Sequence, residues 1–488
     1  MTATTSILSQ LISGLVKLPF AKLITIWGRP QGFALTTACV IIGLAMMAGC
    51  NGVKTYCAAQ VFYSVGYAGM DLCMTIFIAD TSSLRNRSLM LAFASSPYLA
   101  TTWAYGPAAQ RMLAPGGMGF RWGIGVWTII YLVVATPLFS LFYYYHIQAE
   151  KAGLVPKKQG PKRSVREWLT YYAIEYDVMG LLLICAGLAL FLLSFSLYSY
   201  QAREWRSPLI ICLVIFGVLL IIAFILWERF MAPISFIPWH LIRNRTIIFT
   251  YIMVFGLYCS WYVWDNYFYS FLIVVFDQSV SQATYITNIY TVGSCFWVFI
   301  TGFLLRYQGH LKWQALFFGG PLMILGNGLM IAFRRPGSHI GYIVICQIFV
   351  AFGGATLVIC EQMTVMAVSS QQDIPAVLAV ESMIVSVGGS IGSTIAAAIW
   401  TGVFPKKLAK YLPPSAQADL ASIYGDLTVQ SSYPVGSPTR NAIDRSYGET
   451  QRLMLITSTC LNVLTLLAPV FWKDVNVKGL EQVKGLVV

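Results

Sequence analysis

"PLIICLVIFGVLLIIAFILW" occupies residues 208–227. The stretch carries no charge, and its apolar run is continuous rather than alternating. A helix rises ~1.5 Å per residue, so a run of this length covers the ~30 Å of a bilayer's hydrocarbon core. Twelve further segments read the same way: 3–21, 33–50, 56–79, 89–107, 123–145, 178–198, 247–272, 286–305, 314–333, 341–366, 375–403 and 453–472. The whole chain of 488 residues is 57% hydrophobic and 10% charged, with a mean hydropathy of +0.69. Soluble domains carry roughly 25% charged residues, so the surplus apolar surface must face lipid. Only helices or closed barrels satisfy their backbone groups there, and long uninterrupted runs select helices. The expected fold class is an all-α polytopic membrane protein of about thirteen transmembrane helices. The first segment lacks a basic start and a small-residue cleavage site, so it does not read as a signal peptide.

Lys and Arg set the orientation. One alternating set of connections holds eighteen of them; the other holds seven in short loops and six in the polar stretch 405–452. The first set is therefore cytoplasmic, with the C-terminus inside and 405–452 outside. The net charge of +13 invites a nucleic-acid reading, but the positive-inside bias explains much of it, and no nucleic-acid partner is expected. The densest basic run, "KKQGPKRSVR" at 157–166, lies in a cytoplasmic connector beside anionic headgroups or in solvent.

Eleven cysteines sit mostly in apolar spans without a C-x-x-C pair. Cys50 and Cys57 flank an outer loop, which leaves a disulfide there open. The four histidines, His146, His240, His310 and His339, show no metal-ligand spacing. No phosphate-binding loop and no nucleophile motif appears, so neither an ATP-driven pump nor an enzyme is expected. No metal site and no cofactor is expected either.

The connector 146–177 separates five segments (within 1–145) from eight. A major facilitator transporter has six spans, a cytoplasmic linker and a second half. The remaining regions are additional spans and a C-terminal half at 178–404, an outer loop at 405–452, a last span at 453–472 and a cytoplasmic tail at 473–488. "AKLITIWGRP" (21–30) resembles the superfamily signature G-x-L-x-D-x-x-G-R-[KR]. Leu23, Gly28 and Arg29 match it; Thr25 stands where the acid of a helix-latching charge network belongs. "ADTSSLRNRSLMLAFASSPYLATTWAYGP" (79–107), "YFYSFLIVV" (267–275), "YTVGSCFW" (290–297), "ESMIVSVGGSIGSTIAAAIWTGVFPKKL" (381–408) and "SYPVGSPTR" (432–440) resemble the fungal siderophore–iron transporters of that superfamily. The resemblance covers essentially the whole chain. It implies fourteen spans, of which this chain begins at the second, and import of ferric siderophores, of hydroxamate type, with protons. Iron would travel only as its chelate, through a monomer in the plasma membrane or an endosomal vesicle membrane.

Carboxylates within spans are costly and mark proton pathways. The candidates are Asp71, Asp265, Glu361 and Glu381, the first two deepest and the last two toward the cytoplasmic half. A structural ion pair or an end-of-helix position is the alternative for each. Trp264, Tyr267, Phe268 and Tyr269 crowd beside Asp265, and with Tyr290 they are candidates to wall a cavity for a bulky chelate; an interfacial aromatic belt is the rival reading. Arg29, Asp80, Arg85 and Arg87 are candidates for a cytoplasmic gate. Gly388, Gly392 and Ala396, four apart, predict close helix packing. The 405–452 loop is expected to carry short helices near 415–424 and 441–452 around the turn-rich "YPVGSPTR". It is expected either to fold over the outer mouth as a lid, with Tyr424, Tyr433, Arg440 and Tyr447 against the chelate, or to form a structural cap. A drug or peptide proton antiporter of the same fold, and a non-transporting receptor or truncated fragment, are the competing functions.

Overall fold

The computed structural model describes residues 2–114, 116–153, 164–198, 201, 204–233, 241 and 243–480. Lys157, Lys158, Lys162, Arg163, His240 and Lys484 lie outside the described residues. Every one of the thirteen apolar segments falls on helix. The N-terminal set is α1 (Thr2–Trp27), α2 (Arg29–Ala48), α3 (Val53–Thr81), α4 (Leu84–Ser95), α5 (Tyr98–Leu113) and α6 (Gly119–Lys151). A connector helix, α7 (Val165–Glu175), follows, and then α8 (Val178–Leu197) and α9 (Pro208–Phe230). The C-terminal set is α10 (Arg245–Asp265), α11 (Phe268–Val274), α12 (Val280–Gln308), α13 (Leu311–Gln314), α14 (Gly320–Phe333), α15 (Ile340–Ala367) and α16 (Ile374–Tyr411). Two short outer helices, α17 (Leu420–Gly425) and α18 (Leu427–Ser432), lead into α19 (Pro438–Leu467). Among the described residues, ten helical stretches are long and apolar enough to cross a membrane, some of them, such as Arg245–Val274, joining two of these helices; the apolar Val178–Ser194 is shorter.

Three spans are not the single α-helices that hydropathy suggests. Segment 89–107 breaks between α4 and α5 at Pro97, which has no N–H for the ladder. Segment 247–272 breaks after Asp265. A π-helical turn, Ala315–Gly319, precedes Pro321 in the third, a local unwinding of the kind that proline induces.

The N-terminal helices pack as α2 on α3 and α6, with α1 on α3. In the C-terminal set, α10 packs on α16 and α19, and α15 on α12 and α14. The hairpin of α8 and α9 stands beside them, reaching α1 and α16 through α8. Side chains such as Phe93, Trp122, Val134 and Phe230 stay exposed, as lipid-facing residues do. The two bundles meet where α1 crosses α16 and where α4 and α5 run along α12. On α16 the expected small face packs closely against α10. A Cβ at Gly388 would come within 3.0 Å of the Phe255 carbonyl, one at Gly392 would collide with that of Cys259, and Ala396 is buried. All eleven cysteines are free thiols, Cys50 and Cys57 included.

The polar stretch 405–452 is less of a loop than its composition implies. α16 continues to Tyr411 and α19 starts at Pro438, so the true connection is 412–437. α16 alone is 38 residues long, ~57 Å at the rise of an α-helix, well beyond the hydrocarbon core.

Candidate functional site

α1 brings Lys17 to the seam between the bundles, where its Nζ lies 2.7 Å from Asp71 Oδ2 on α3 and 3.3 Å from Ser382 Oγ on α16. One ammonium thus touches both halves. Around it is a cavity of about 400 Å³ whose lining includes Tyr67, Asp71, Tyr258, Glu361, Gln362 and Glu381. A second cavity of about 350 Å³ shares Tyr67, Asp71, Thr75 and Gln362 with the first and runs on toward Tyr98 and Ile359. Each is within the volume range of ligand sites, ~300–1,000 Å³. The Asp71 side chain is 59% exposed to this space. Glu361 and Glu381 are buried at its wall, and Oε2 of each makes no hydrogen bond among the described residues. Both stand about two helical turns from the basic-loop end, near the end of α15 and the start of α16.

Three of the four candidate acids therefore share one cavity, and Asp265 is the exception. It ends α10 at the opposite end of the bundle, where its neighbour is Arg334. That arginine reads from sequence as an outer-loop residue, yet it is fully buried. Its guanidinium lies 4.3 Å from the Phe268 ring centroid and 5.9 Å from that of Trp264, and Nη1 donates to the Trp264 carbonyl at 3.0 Å. Trp264 and Phe268 thus box a cation and do not line the central cavity. Tyr267 stacks on Trp400 at 4.3 Å, and Tyr290 stacks on Trp261 at 5.3 Å. Tyr269 is exposed. The aromatic run is distributed around its helices; it is not one wall.

The gate candidates do come together at the basic-loop end. Arg29 Nε lies 3.1 Å from Asp80 Oδ2, and Gln371 of the C-terminal set donates to Asp80 Oδ1 at 2.9 Å. Ser88 donates to the Gly302 carbonyl at 3.2 Å and Arg85 to that of Arg306 at 3.4 Å, both across the bundle seam. Arg87 is buried and donates to Ala79 at 2.7 Å, which ties α4 to the end of α3. Thr25, at the signature's acid position, bonds among the described residues to its own helix through the Ala21 carbonyl at 2.8 Å. Asp80 therefore supplies the carboxylate for Arg29.

At the outer end, two of the four lid candidates are not available to an arriving molecule. Arg440 is 1% exposed. It donates to the carbonyls of Val274, Gln430 (3.0 Å) and Tyr433 (3.2 Å), and it pairs with Asp444 (3.5 Å) and Asp277 (3.6 Å). Tyr447 is buried against Trp400 and Phe404, with its hydroxyl donating to Gln430 Oε1 at 2.8 Å. These two pin the cap in place. Tyr424 and Tyr433 are half-buried, Tyr424 lying against Phe404. A second clamp joins the extended helices: Glu449 takes Lys407 at 2.6 Å, the Tyr411 hydroxyl at 2.8 Å and Arg445 at 3.4 Å.

Lys17, Gln371 and Arg334 are the residues that sequence reasoning passed over. Lys17 sits inside the first apolar segment, so it belongs to no loop and escapes a census of loop charges. The rule that an ionisable residue within a span marks function applies to it as well as to acids.

The Major Facilitator Superfamily model matches residues 1–276. The chain is 55% identical to "MFS siderochrome iron transporter 1" of Ajellomyces capsulatus, over all of this chain and 82% of that one. It is 42% identical to "Siderochrome iron transporter 2" of Aspergillus fumigatus and 38% identical to "Siderophore iron transporter mirB" of Emericella nidulans, in each case over all of this chain and 80% of the relative. Among solved structures, the human organic anion transporter MFSD10 aligns with a TM-score of 0.52 at 15% identity, over 88% of this chain and 82% of that one. The proton:xylose symporter XylE aligns at 0.50 and 10%, over 94% and 84%. These two speak for the fold alone. The chain belongs to the major facilitator superfamily, among its fungal siderophore–iron transporters, and is a multi-pass membrane transporter and not an enzyme.

Proposed function

We propose that this protein carries ferric siderophores, of hydroxamate type, inward across its membrane together with protons, as a monomer. Iron remains wrapped in its chelator, so the protein contributes a cavity and not iron ligands, and no resident cofactor takes part. The observation that carries this reading is the cavity at the bundle seam, where Lys17 bridges Asp71 and Ser382 opposite the buried Glu361 and Glu381. The names of the relatives supply the substrate class.

Alternating access needs a site that both halves hold and a barrier at one end at a time. In this structure the Arg29–Asp80–Gln371 layer bars the basic-loop end, which the positive-inside rule makes cytoplasmic. In the proposed cycle, a conformation barred at this end would be the one that receives substrate from outside. A proton arriving on Glu361 or Glu381 removes a buried negative charge. That lowers the cost of carrying the acid away from the positive charge of Lys17 as the halves rock, because an uncompensated charge in a dry seam is expensive.

The test is uptake of radioiron-labelled ferrichrome and coprogen in yeast lacking its own siderophore transporters, with surface amounts measured. Protonophore-sensitive uptake is expected, and Glu381→Gln is expected to weaken its dependence on the proton gradient. Export of either compound, or binding without accumulation, would replace this reading with an antiporter or a receptor.

A further inference from the structure

A cavity of about 840 Å³ opens at the outer end of the C-terminal bundle, between the end of α14 and the start of α19. It lies apart from the central cavity and shares no lining residue with it. One wall is basic, with Arg334, Arg335, Arg445 and Arg452; Asp444 and Glu449 also line it. The two carboxylates are already engaged. Asp444 lies 3.5 Å from Arg440, and Glu449 holds Lys407 at 2.6 Å and Arg445 at 3.4 Å. Among the described residues, no carboxylate comes within ion-pair distance of Arg334, Arg335 or Arg452. Arg334 is 1% exposed, and its Nε and Nη2 make no hydrogen bond. Asp265 acts on it electrostatically without closing a pair. Buried guanidinium N–H groups left unmade are costly, and a planar fork of donors is the group that binds phosphate oxygens in pairs.

Part of the lining is apolar. Val275, Ile331 and Ala332 form it, and beside Gly328 there is open space where a side chain would otherwise stand. Exposed Leu325, about one helical turn further into the membrane, continues the strip on the lipid-facing side. Basic groups above and an apolar track below match a phosphate with a hydrocarbon chain attached. A free anion would use the first and leave the second bare.

We infer that this cavity holds an anionic phospholipid of the outer leaflet, its phosphate on Arg334, Arg335 and Arg452 and an acyl chain over Gly328. Such a lipid would tie α14 to α19 and so brace the outer end of the C-terminal bundle.

The experiment uses the purified full chain in a neutral detergent, with thermal unfolding followed by tryptophan fluorescence. Phosphatidic acid is compared with phosphatidylcholine and with inorganic phosphate at equal concentration. A rise in Tm of about 3 °C is expected with phosphatidic acid alone, the size that saturating a native-state ligand site gives in a chain of this length. Arg335→Gln with Arg452→Gln, both exposed positions, should abolish most of the rise while leaving the lipid-free Tm in place. Gly328→Leu should do the same with every arginine intact. Equal protection by inorganic phosphate, or a full rise in the arginine double variant or in Gly328→Leu, would overturn the proposal.

Discussion

The outer cap and the central cavity hold similar charges and treat them in opposite ways. In the cap, Arg440 spends its guanidinium on three carbonyls and two carboxylates, and Glu449 accepts from three donors. In the cavity, Lys17 reaches one carboxylate and one hydroxyl, while Glu361 and Glu381 each leave an oxygen unbonded. The Arg440 guanidinium has all its nitrogens engaged, though Asp444 Oδ1 makes no hydrogen bond, and a donor satisfied on every side fixes one geometry. A partly satisfied one has alternatives of similar energy, which a transport cycle requires. In the proposed cycle the cap would be the frame and the cavity the moving part.

The sharpest way to break this comparison is at Arg440. Arg440→Ala leaves Asp444 and the Val274, Gln430 and Tyr433 carbonyls without their donor. Removing one partner of a buried charge network costs about 3–5 kcal/mol. The expected result is a large fall in Tm and in surface amount, with new protease cleavage within 412–437. Arg440→Lys should recover little, since one ammonium cannot span acceptors arranged for a fork. A variant that keeps its Tm and raises only the uptake constant would return Arg440 to the chelate-binding role that its place in a polar outer loop suggests.

Lys17→Met probes the other side. The cation donates to Asp71 and Ser382, and hydrogen bonds of a charged group are worth about 1.5–3 kcal/mol, which corresponds to roughly 10- to 100-fold in a population or rate. Uptake at equal surface amount is expected to fall by that factor. Asp71→Asn added to Lys17→Met removes the orphaned charge. It should restore any lost surface amount but not uptake, which separates folding from transport. Normal uptake by Lys17→Met would make the pair structural and dissolve the contrast with the cap.

The helices were legible because a lipid-facing helix must be apolar along most of its length, and each of the thirteen segments falls on helix. The breaks were not, because Pro97 and Pro321 alter a ladder without altering hydropathy. The site was half legible. Asp71, Glu361 and Glu381 stand out as acids in apolar runs, and they do share a cavity. Asp265 stands out equally but is not deep: α10 ends there, and the apolar run to 272 conceals that break. Arg334 and Arg440 both end or flank polar loops, where an arginine is ordinarily solvated. Only the packing of Phe268 and the carbonyls around Val274 shows that they are buried. Gln371 carries no charge and lies in a short connection, so nothing in its surroundings distinguishes it before the two bundles are brought together.

Gln371 gives the smallest expected effect and refines the comparison, because the cytoplasmic layer lies between the two extremes. Its Arg29–Asp80 pair belongs wholly to the N-terminal set, and the amide of Gln371 is the group that carries the contact across to the other half. Gln371→Ala removes that crossing and leaves the pair intact. A hydrogen bond to a charged group contributes about 1.5–3 kcal/mol; Asp80 keeps Arg29 here, so the lower end applies and the closed layer should open roughly 10-fold more often. Cys73 reports on it. The thiol is buried beside the start of α2, with Sγ 4.0 Å from the carbonyl of the layer's Arg29, and its alkylation by a membrane-permeant maleimide can be followed peptide by peptide. Faster labelling of Cys73 in Gln371→Ala, with the buried Cys360 of α15 unchanged, is the expected outcome. Faster labelling of both would mean general loosening, and the layer would then be part of the frame instead of a gate.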